Sequence, residues 1–142
     1  MKKFFIFLII ICFMTIGIWY VYQNYKINYK EIKSHNSEYE KYLNQDIYGI
    51  DLTTIINSAI DYNEQNNVAK DENDMYIDNN NNSIKIEVKI IDNKTTYQME
   101  DFYKVGMENF LNYYGAIKFK CTKLEYHNNN FVKYLLFEQI TE

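Results

Sequence analysis

The sequence predicts an α+β fold, with an N-terminal transmembrane helix followed by a small antiparallel sheet and two packed amphipathic helices. Three observations carry that expectation. Residues 4–22 form an uncharged apolar run. Two later stretches repeat apolar residues at helical spacing, and another alternates apolar and charged residues with period two. The order anchor helix, helix, strands, helix, hairpin then gives an antiparallel sheet with helices packed on it. The chain has 142 residues, room for one domain plus an anchor. The boundaries read as 1–22 for the anchor, 23–45 for a juxtamembrane helical connector and 46–142 for the small domain.

The first element reads FFIFLIIICFMTIGIWYVY, without a charge. Nineteen residues at the helical rise span roughly 29 Å, close to the hydrocarbon thickness of a bilayer. Trp19, Tyr20 and Tyr22 cluster at its far end, where amphipathic rings favour the interface. Lys2 and Lys3 supply a short positive flank. A cleaved signal peptide needs small residues at its cleavage site. Thr15 and Gly17 offer a weak version, but the apolar run continues through Ile18, Trp19, Tyr20 and Val21. A lipoprotein signal wants a small residue before the cysteine, and Ile11 precedes Cys12. An uncleaved signal anchor fits best, with the lipid bilayer as partner of residues 4–22. A buried soluble helix is disfavoured because the segment is apolar on every face. Lys26, Lys30 and Lys33 follow the anchor, but Glu31 is interleaved with them. Lys2, Lys3 and the free amine lie directly against the bilayer, so the N-terminus is expected inside and the C-terminal domain outside the cytoplasm.

The connector alternates Tyr, Lys, Glu and Asn. Tyr22, Tyr25, Tyr29, Ile32, Tyr39 and Leu43 fall near helical spacing, which predicts a continuing helix with a break around His35, Asn36 and Ser37. Its tyrosine stripe reads as a packing seam against the domain or a partner helix, ahead of a ligand platform. Gln45 to Ile50 reads as a connector containing Gly49. Asp51 is then a plausible N-cap for a helix buried through Leu52, Ile55, Ile56, Ala59 and Ile60 and ending near Asn66. A polar stretch follows to Ser83, with a short element at Met75, Tyr76 and Ile77.

The clearest strand covers 83–91, with Ile84, Ile86, Val88 and Ile90 on one face and Lys85, Glu87 and Lys89 on the other, as in a sheet with one wet face. Asp92, Asn93 and Lys94 make a turn, and 95–98 returns as a short partner. Residues 99–114 read as one amphipathic helix with Phe102, Gly106, Phe110 and Tyr113 on a stripe. Glu100 and Asp101 sit in its first turn, favoured by the macrodipole, and Gly115 is placed as the C′ residue. A strand over 116–126 shifts its apolar parity after Cys121, which predicts a bulge. After a turn at 127–130, the last strand, 131–140, is apolar on both faces and so belongs in the middle of the sheet.

Composition narrows the function classes. Hydrophobic residues make up 47%, Tyr contributes 15 residues and Pro none. Arg is absent. Asn, Ile, Lys and Tyr dominate, all with AT-rich codons, so the Asn tracts read as drift and solvated loop. The formal net charge is −4; setting Lys2 and Lys3 aside leaves 13 Lys against 19 acids, or −6 for the rest. An acidic domain without Arg makes a poor nucleic-acid binder and a poor partner for an anionic membrane surface. Cys12 and Cys121 fall in separate units, so no disulfide framework is expected.

Candidate chemistry is sparse, and no catalytic, cofactor or metal residues are assigned. Asp78, Asn80 and Asn82 match the first ligand positions of a Ca²⁺ loop. Ser83 replaces its glycine, however, and Lys89 stands where the bidentate acid belongs. His35 and His127 lack ligand partners at zinc spacing. Cys121 with His127 as base is outweighed by the core position expected for the thiol. The few glycines form no phosphate-cradling loop. Asp71, Glu72, Asn73 and Asp74 read as a solvated loop, with attraction of a cation or basic partner as the sharper alternative.

Two stretches carry a resemblance: YGIDLTTIINSAIDYNEQNNV at 48–68, and the span from DENDMYIDNNNNSIKIEVKI to FKCTKLEYH at 71–127. Together they resemble a group of small uncharacterised membrane-anchored proteins of clostridia-like Firmicutes. The resemblance implies a bacterial membrane protein and brings no activity or site residues. A looser likeness of layout links the chain to type IV pilins and pseudopilins. No glycine precedes the apolar run for prepilin cleavage, and no glutamate lies near its start. The expected roles are therefore a non-enzymatic interaction or structural subunit at the cell surface, with a protein partner or as a homo-oligomer, then a pilin-like component, then a small surface enzyme.

Overall fold

A computed structural model describes residues 2–92 and 94–141. The elements are helix α1 (Lys2–Glu40), strand β1 (Asp46–Tyr48), helix α2 (Gly49–Gln65), strands β2 (Lys85–Ile90) and β3 (Thr95–Gln98), helices α3 (Asp101–Val105) and α4 (Met107–Tyr114), and strands β4 (Lys118–Tyr126) and β5 (Val132–Gln139). This is an α+β arrangement behind an N-terminal apolar helix. The chain divides into two compact units, Met1–Ser34 and His35–Glu142.

The first unit is helical along its described length. Its helix is long and apolar enough to cross a membrane, with a mean hydropathy of 2.6 and none of that window buried. The apolar side chains from Phe4 to Tyr22 stand exposed. Thr15 returns its hydroxyl to the Cys12 carbonyl at 2.9 Å, so the polar group inside the run is satisfied within the helix. Tyr25 and Tyr29 stack at 6.4 Å but are exposed, so they form no packing seam within this chain.

The second unit begins inside α1. The expected break near His35 does not occur: the helix runs on to Glu40. The physical reason is that His35, Asn36 and Tyr39 face inward at helical spacing and are buried. Residues 35–45, read from sequence as connector, are thus counted with the folded domain. His35 packs against Tyr39, Tyr62 and Phe131 at centroid distances of 5.3, 4.4 and 5.2 Å. Asn36 donates to the Asn130 carbonyl at 2.8 Å and accepts from the Val132 N–H at 2.9 Å. Its carboxamide therefore acts as a short strand beside the turn between β4 and β5.

The sheet order is β1-β4-β5-β2-β3. β5 is central, as expected, with Val132, Leu135 and Phe137 fully buried and Tyr134, Leu136 and Glu138 half-buried on the opposite face. All pairs are antiparallel except β2 with β5, which is parallel. A parallel pair needs a long crossover, and α3, α4 and β4 provide it. The parity shift in β4 is a register irregularity between Cys121 and Lys123. One face of the sheet carries the core: Ile86, Val88, Ile90, Phe119, Leu135 and Phe137 are fully buried with Leu52, Ile56 and Ala59 of α2. The other face is wet and charge-paired, with Lys89–Glu138 at 2.8 Å and Lys85–Glu87 at 3.2 Å. The Tyr134 hydroxyl donates to Glu87 at 2.8 Å; burial and that carboxylate push its pKa up.

Three local expectations differ from the structure. α2 starts at Gly49, so Asp51 lies in the first turn rather than at the cap. Backbone closes that end instead: Gly49 N donates to Ile117 O at 2.9 Å and Ile50 N to Gly115 O at 3.1 Å. Gly49 has to be glycine, since an added Cβ would meet the Tyr114 carbonyl oxygen at 2.1 Å. The single helix expected over 99–114 is two, because Gly106 at φ 91° breaks it between α3 and α4. Gly115 is right-handed, with φ −59°, and not the left-handed C′ residue expected. Within the link before α2, residues 46–48 form β1 as an edge strand on β4. The turn expected at 92–94 includes Asn93, which lies outside the described residues.

Candidate functional site

The residues singled out from sequence are tied into structure. In the Asn-rich loop, the Asn79 side-chain oxygen accepts from the N–H groups of Asn81, Asn82 and Ser83 at 3.0, 2.9 and 3.0 Å. Asp78 accepts from Asn80 N at 2.8 Å and pairs with the Lys133 ammonium. Burial pushes the Asp78 carboxyl up, but Lys133, the Asn80 N–H and His127 together hold it below its ordinary value. Of the three positions matched to a Ca²⁺ loop, Asp78 is thus committed to the loop's backbone and to a lysine, and the Asn82 side-chain oxygen accepts from the Asn79 amide at 2.7 Å.

His127 Nε2 lies 2.7 Å from the Ser83 carbonyl, which can only accept, so Nε2 carries the hydrogen. Cys121 is buried and directs its thiol at the Lys123 carbonyl at 3.6 Å. Burial pushes that thiol up to about 11. The two side chains bond different carbonyls, and a protonated, buried thiol is a poor nucleophile.

Groups converge instead in a cleft of about 300 Å³ lined by Ile60 and Glu64 of α2, Lys70, Asp74 and Tyr76 of the following loop, and Glu100, Tyr103 and Lys104 at α3. The loop is shaped by Asp71, whose carboxylate accepts from Asn73 N at 2.8 Å and Met75 N at 3.0 Å. A bridge between Lys70 and Tyr76 closes it. The sequence segment read as a solvated acidic loop thus forms one wall.

Charge in the cleft is unevenly matched. Lys70 lies 3.5 Å from Glu64 and 4.5 Å from the Tyr76 ring centroid. Its pKa is raised, first by Tyr76 and then by Glu64. Lys104 donates to the Asn73 carbonyl. The Met75 and Asn73 N–H groups, with a smaller contribution from the Lys104 charge, hold Asp71 below the usual carboxylate range. Glu100 is 7% exposed; one oxygen accepts from Tyr76 N at 2.9 Å, while Oε2 has no hydrogen-bond partner among the described residues. An unmatched buried carboxylate oxygen is costly and calls for a donor.

Sequence reasoning placed Glu100 only as a helix-dipole acid. Its partner Tyr76 is 24 residues away, so no local spacing marks the pair. A second groove of about 410 Å³ opens beside the break at Gly106, lined mainly by Tyr97, Phe102, Phe110, Tyr113 and Tyr114. Its rings already pack on one another, Phe102 on Phe110 at 4.7 Å. Comparison with protein-family models, curated proteins and solved structures gives no match.

Proposed function

We propose that the chain is a single-pass membrane protein whose α+β domain is held outside the cytoplasm and works by binding, as an interaction or structural subunit, rather than by catalysis. The observation that carries the reading is the apolar helix α1. Its N-terminal stretch has the length and hydropathy of a membrane span, and its last turns, through His35, Asn36 and Tyr39, are core residues of the domain. The bacterial membrane-protein resemblance of residues 48–68 and 71–127 belongs to the same proposal.

The non-enzymatic part rests on the commitments of the nucleophile and base candidates. Cys121 and His127 each bond a backbone carbonyl.

Paired reporters fused after Glu142 test the orientation. One reporter is active only outside the cytoplasm and the other only inside. Activity of the outside reporter is the expected result; activity of the inside reporter alone overturns it. The pilin-like reading shares the layout of an apolar helix leading into a sheet. N-terminal sequencing separates the two: an intact Met1 fits the anchored subunit, and a processed N-terminus fits the pilin class.

A further inference from the structure

Aromatic rings from three elements meet where Gly106, at φ 91°, parts α3 from α4. Tyr97 of β3 lies against Phe102 at a centroid distance of 5.8 Å, and Phe102 against Phe110 at 4.7 Å. Phe110 is 5.4 Å from Tyr114, and Tyr114 is 6.5 Å from Tyr113. Each of these pairs is tilted or edge-to-face, so the rings line a hollow of about 410 Å³ instead of closing into a flat stack. Phe102 and Phe110 are buried, as a floor requires, while Tyr113 is 78% exposed and keeps its ring open to solvent. Charge at this groove has one sign. Asp101 lines it, and no lysine does among the described residues. One Asp101 oxygen accepts from Gln98 N at 2.9 Å, and no cation pairs with the carboxylate among the described residues. Burial raises the Tyr114 pKa first, then Tyr97 and the Asp92 charge, so a second carboxylate acts on the same rings.

We propose that this groove binds a quaternary ammonium group of choline-like size, with its methyl groups against the tyrosine and phenylalanine rings and Asp101 balancing its charge. The ligand class follows from the lining. Ring faces carry negative potential and attract a cation placed over them. The only charged side chain among the lining residues is a carboxylate, so the complement it lacks is positive. A primary ammonium brings three N–H donors that need acceptors, and ring faces supply none. A quaternary ammonium has no N–H to satisfy and leaves water at lower cost, which suits walls made mostly of rings. The volume lies within the range of small-molecule sites and admits a trimethylammonium head with a short tail. The inference rests on the reading of the domain as a binding unit and names a ligand class for it. A groove that took no quaternary ammonium would leave an interaction subunit with another partner. A chain that left the membrane would still carry the groove.

The test is a titration of the full chain, isotope-labelled in micelles of a nonionic polyoxyethylene detergent, which brings neither ammonium nor sugar. The probes are choline chloride, sodium chloride at equal concentration, glucose, and the neutral alcohol in which carbon replaces choline's nitrogen. That alcohol matches choline in shape and lacks its charge. Choline alone is expected to give saturable shifts in the amide signals of Gly106, Tyr113 and Tyr114. Tyr113→Leu, on an exposed residue, should weaken that binding by about two- to fivefold, the worth of one exposed cation–π contact. Asp101→Asn keeps an oxygen for the Gln98 N–H and should weaken it by a similar factor. A response to the alcohol equal to that of choline would show plain apolar filling, and an equal response to glucose would show a sugar site. Either overturns the proposal. So does the lack of a saturable response, the same shifts with sodium chloride, or undiminished binding by either variant.

Discussion

Gly49 sits where the start of α2 passes the end of α4, and its missing side chain makes that approach possible. A Cβ there would lie 2.1 Å from the Tyr114 carbonyl oxygen and 2.8 Å from its carbon, both backbone atoms. Neither helix end can yield without breaking the bonds from Gly49 and Ile50 to Ile117 and Gly115. Gly49→Ala should therefore cost about 3 kcal/mol, at the upper end for forced overpacking. Gly17→Ala is the control, since nothing lies within 4 Å of a Cβ there. Chemical denaturation in detergent should show a lower midpoint for the first variant and none for the second. Asn63 shows the same economy of position: wholly buried, it accepts from Ile84 N at 2.9 Å and donates to Ile84 O at 2.8 Å. Leu52, Ile55, Ile56, Ala59 and Ile60 were legible as a buried face because helical spacing is local. Asn63 and Glu100 were not, because their partners lie 21 and 24 residues away.

At the scale of elements, the end of α1 is fastened to the β4–β5 turn by one carboxamide. Asn36→Ala would leave the Asn130 carbonyl and the Val132 N–H unpaired, and Val132 is fully buried. The expected cost is about 2–3 kcal/mol, measured by the same denaturation, with Asn36→Asp recovering part of it through the bond from Val132 N. Tyr126 adds a second tie, donating to Glu40 at 2.7 Å, and burial with that carboxylate moves its pKa up to about 12. Acid acts on a different pair of elements. Asp78, on the Asn-rich loop, is held below its ordinary 3.8 largely by Lys133 of β5, against the effect of burial. Its folded value is depressed, so its contribution is complete at neutral pH and lost as pH falls through and below about 4. Glu138, lowered first by Lys89, behaves alike from its ordinary 4.5. Stability should thus be level near neutrality and decline in acid, and the decline should be shallower for Asp78→Asn. A steepest change above pH 6 would contradict this assignment. The strand alternation of β2 and the central place of β5 were readable from side-chain pattern. The parallel pairing of β2 with β5 was not, because pattern fixes faces and leaves direction open. The helix break at Gly106 was missed since a glycine at helical spacing continues the stripe on paper, whereas at φ 91° it ends the hydrogen-bond ladder.

Across the whole chain, the two compact units divide the physics. The first unit holds the apolar run, whose side chains water does not favour, with a mean hydropathy of 2.6 over an 18-residue window. Residues from His35 onward bury their own core behind a charge-paired sheet face. This division was the most legible property of the sequence, because an uncharged run of such length has few other uses. Its exact seam was less so. Along the Tyr stripe, Tyr25 and Tyr29 are exposed while Tyr39 is buried. The cleft at Glu100 was invisible from sequence because its walls come from α2, the following loop and α3. The claim on which the rest depends is that residues 4–22 hold the mature chain in a bilayer. Alkaline extraction of membranes containing the untagged full-length chain tests it directly. The account predicts that a chain of full mass stays in the membrane pellet and leaves only with detergent. Release into the alkaline supernatant, or a pelleted chain shortened by its first 22 residues, would contradict it.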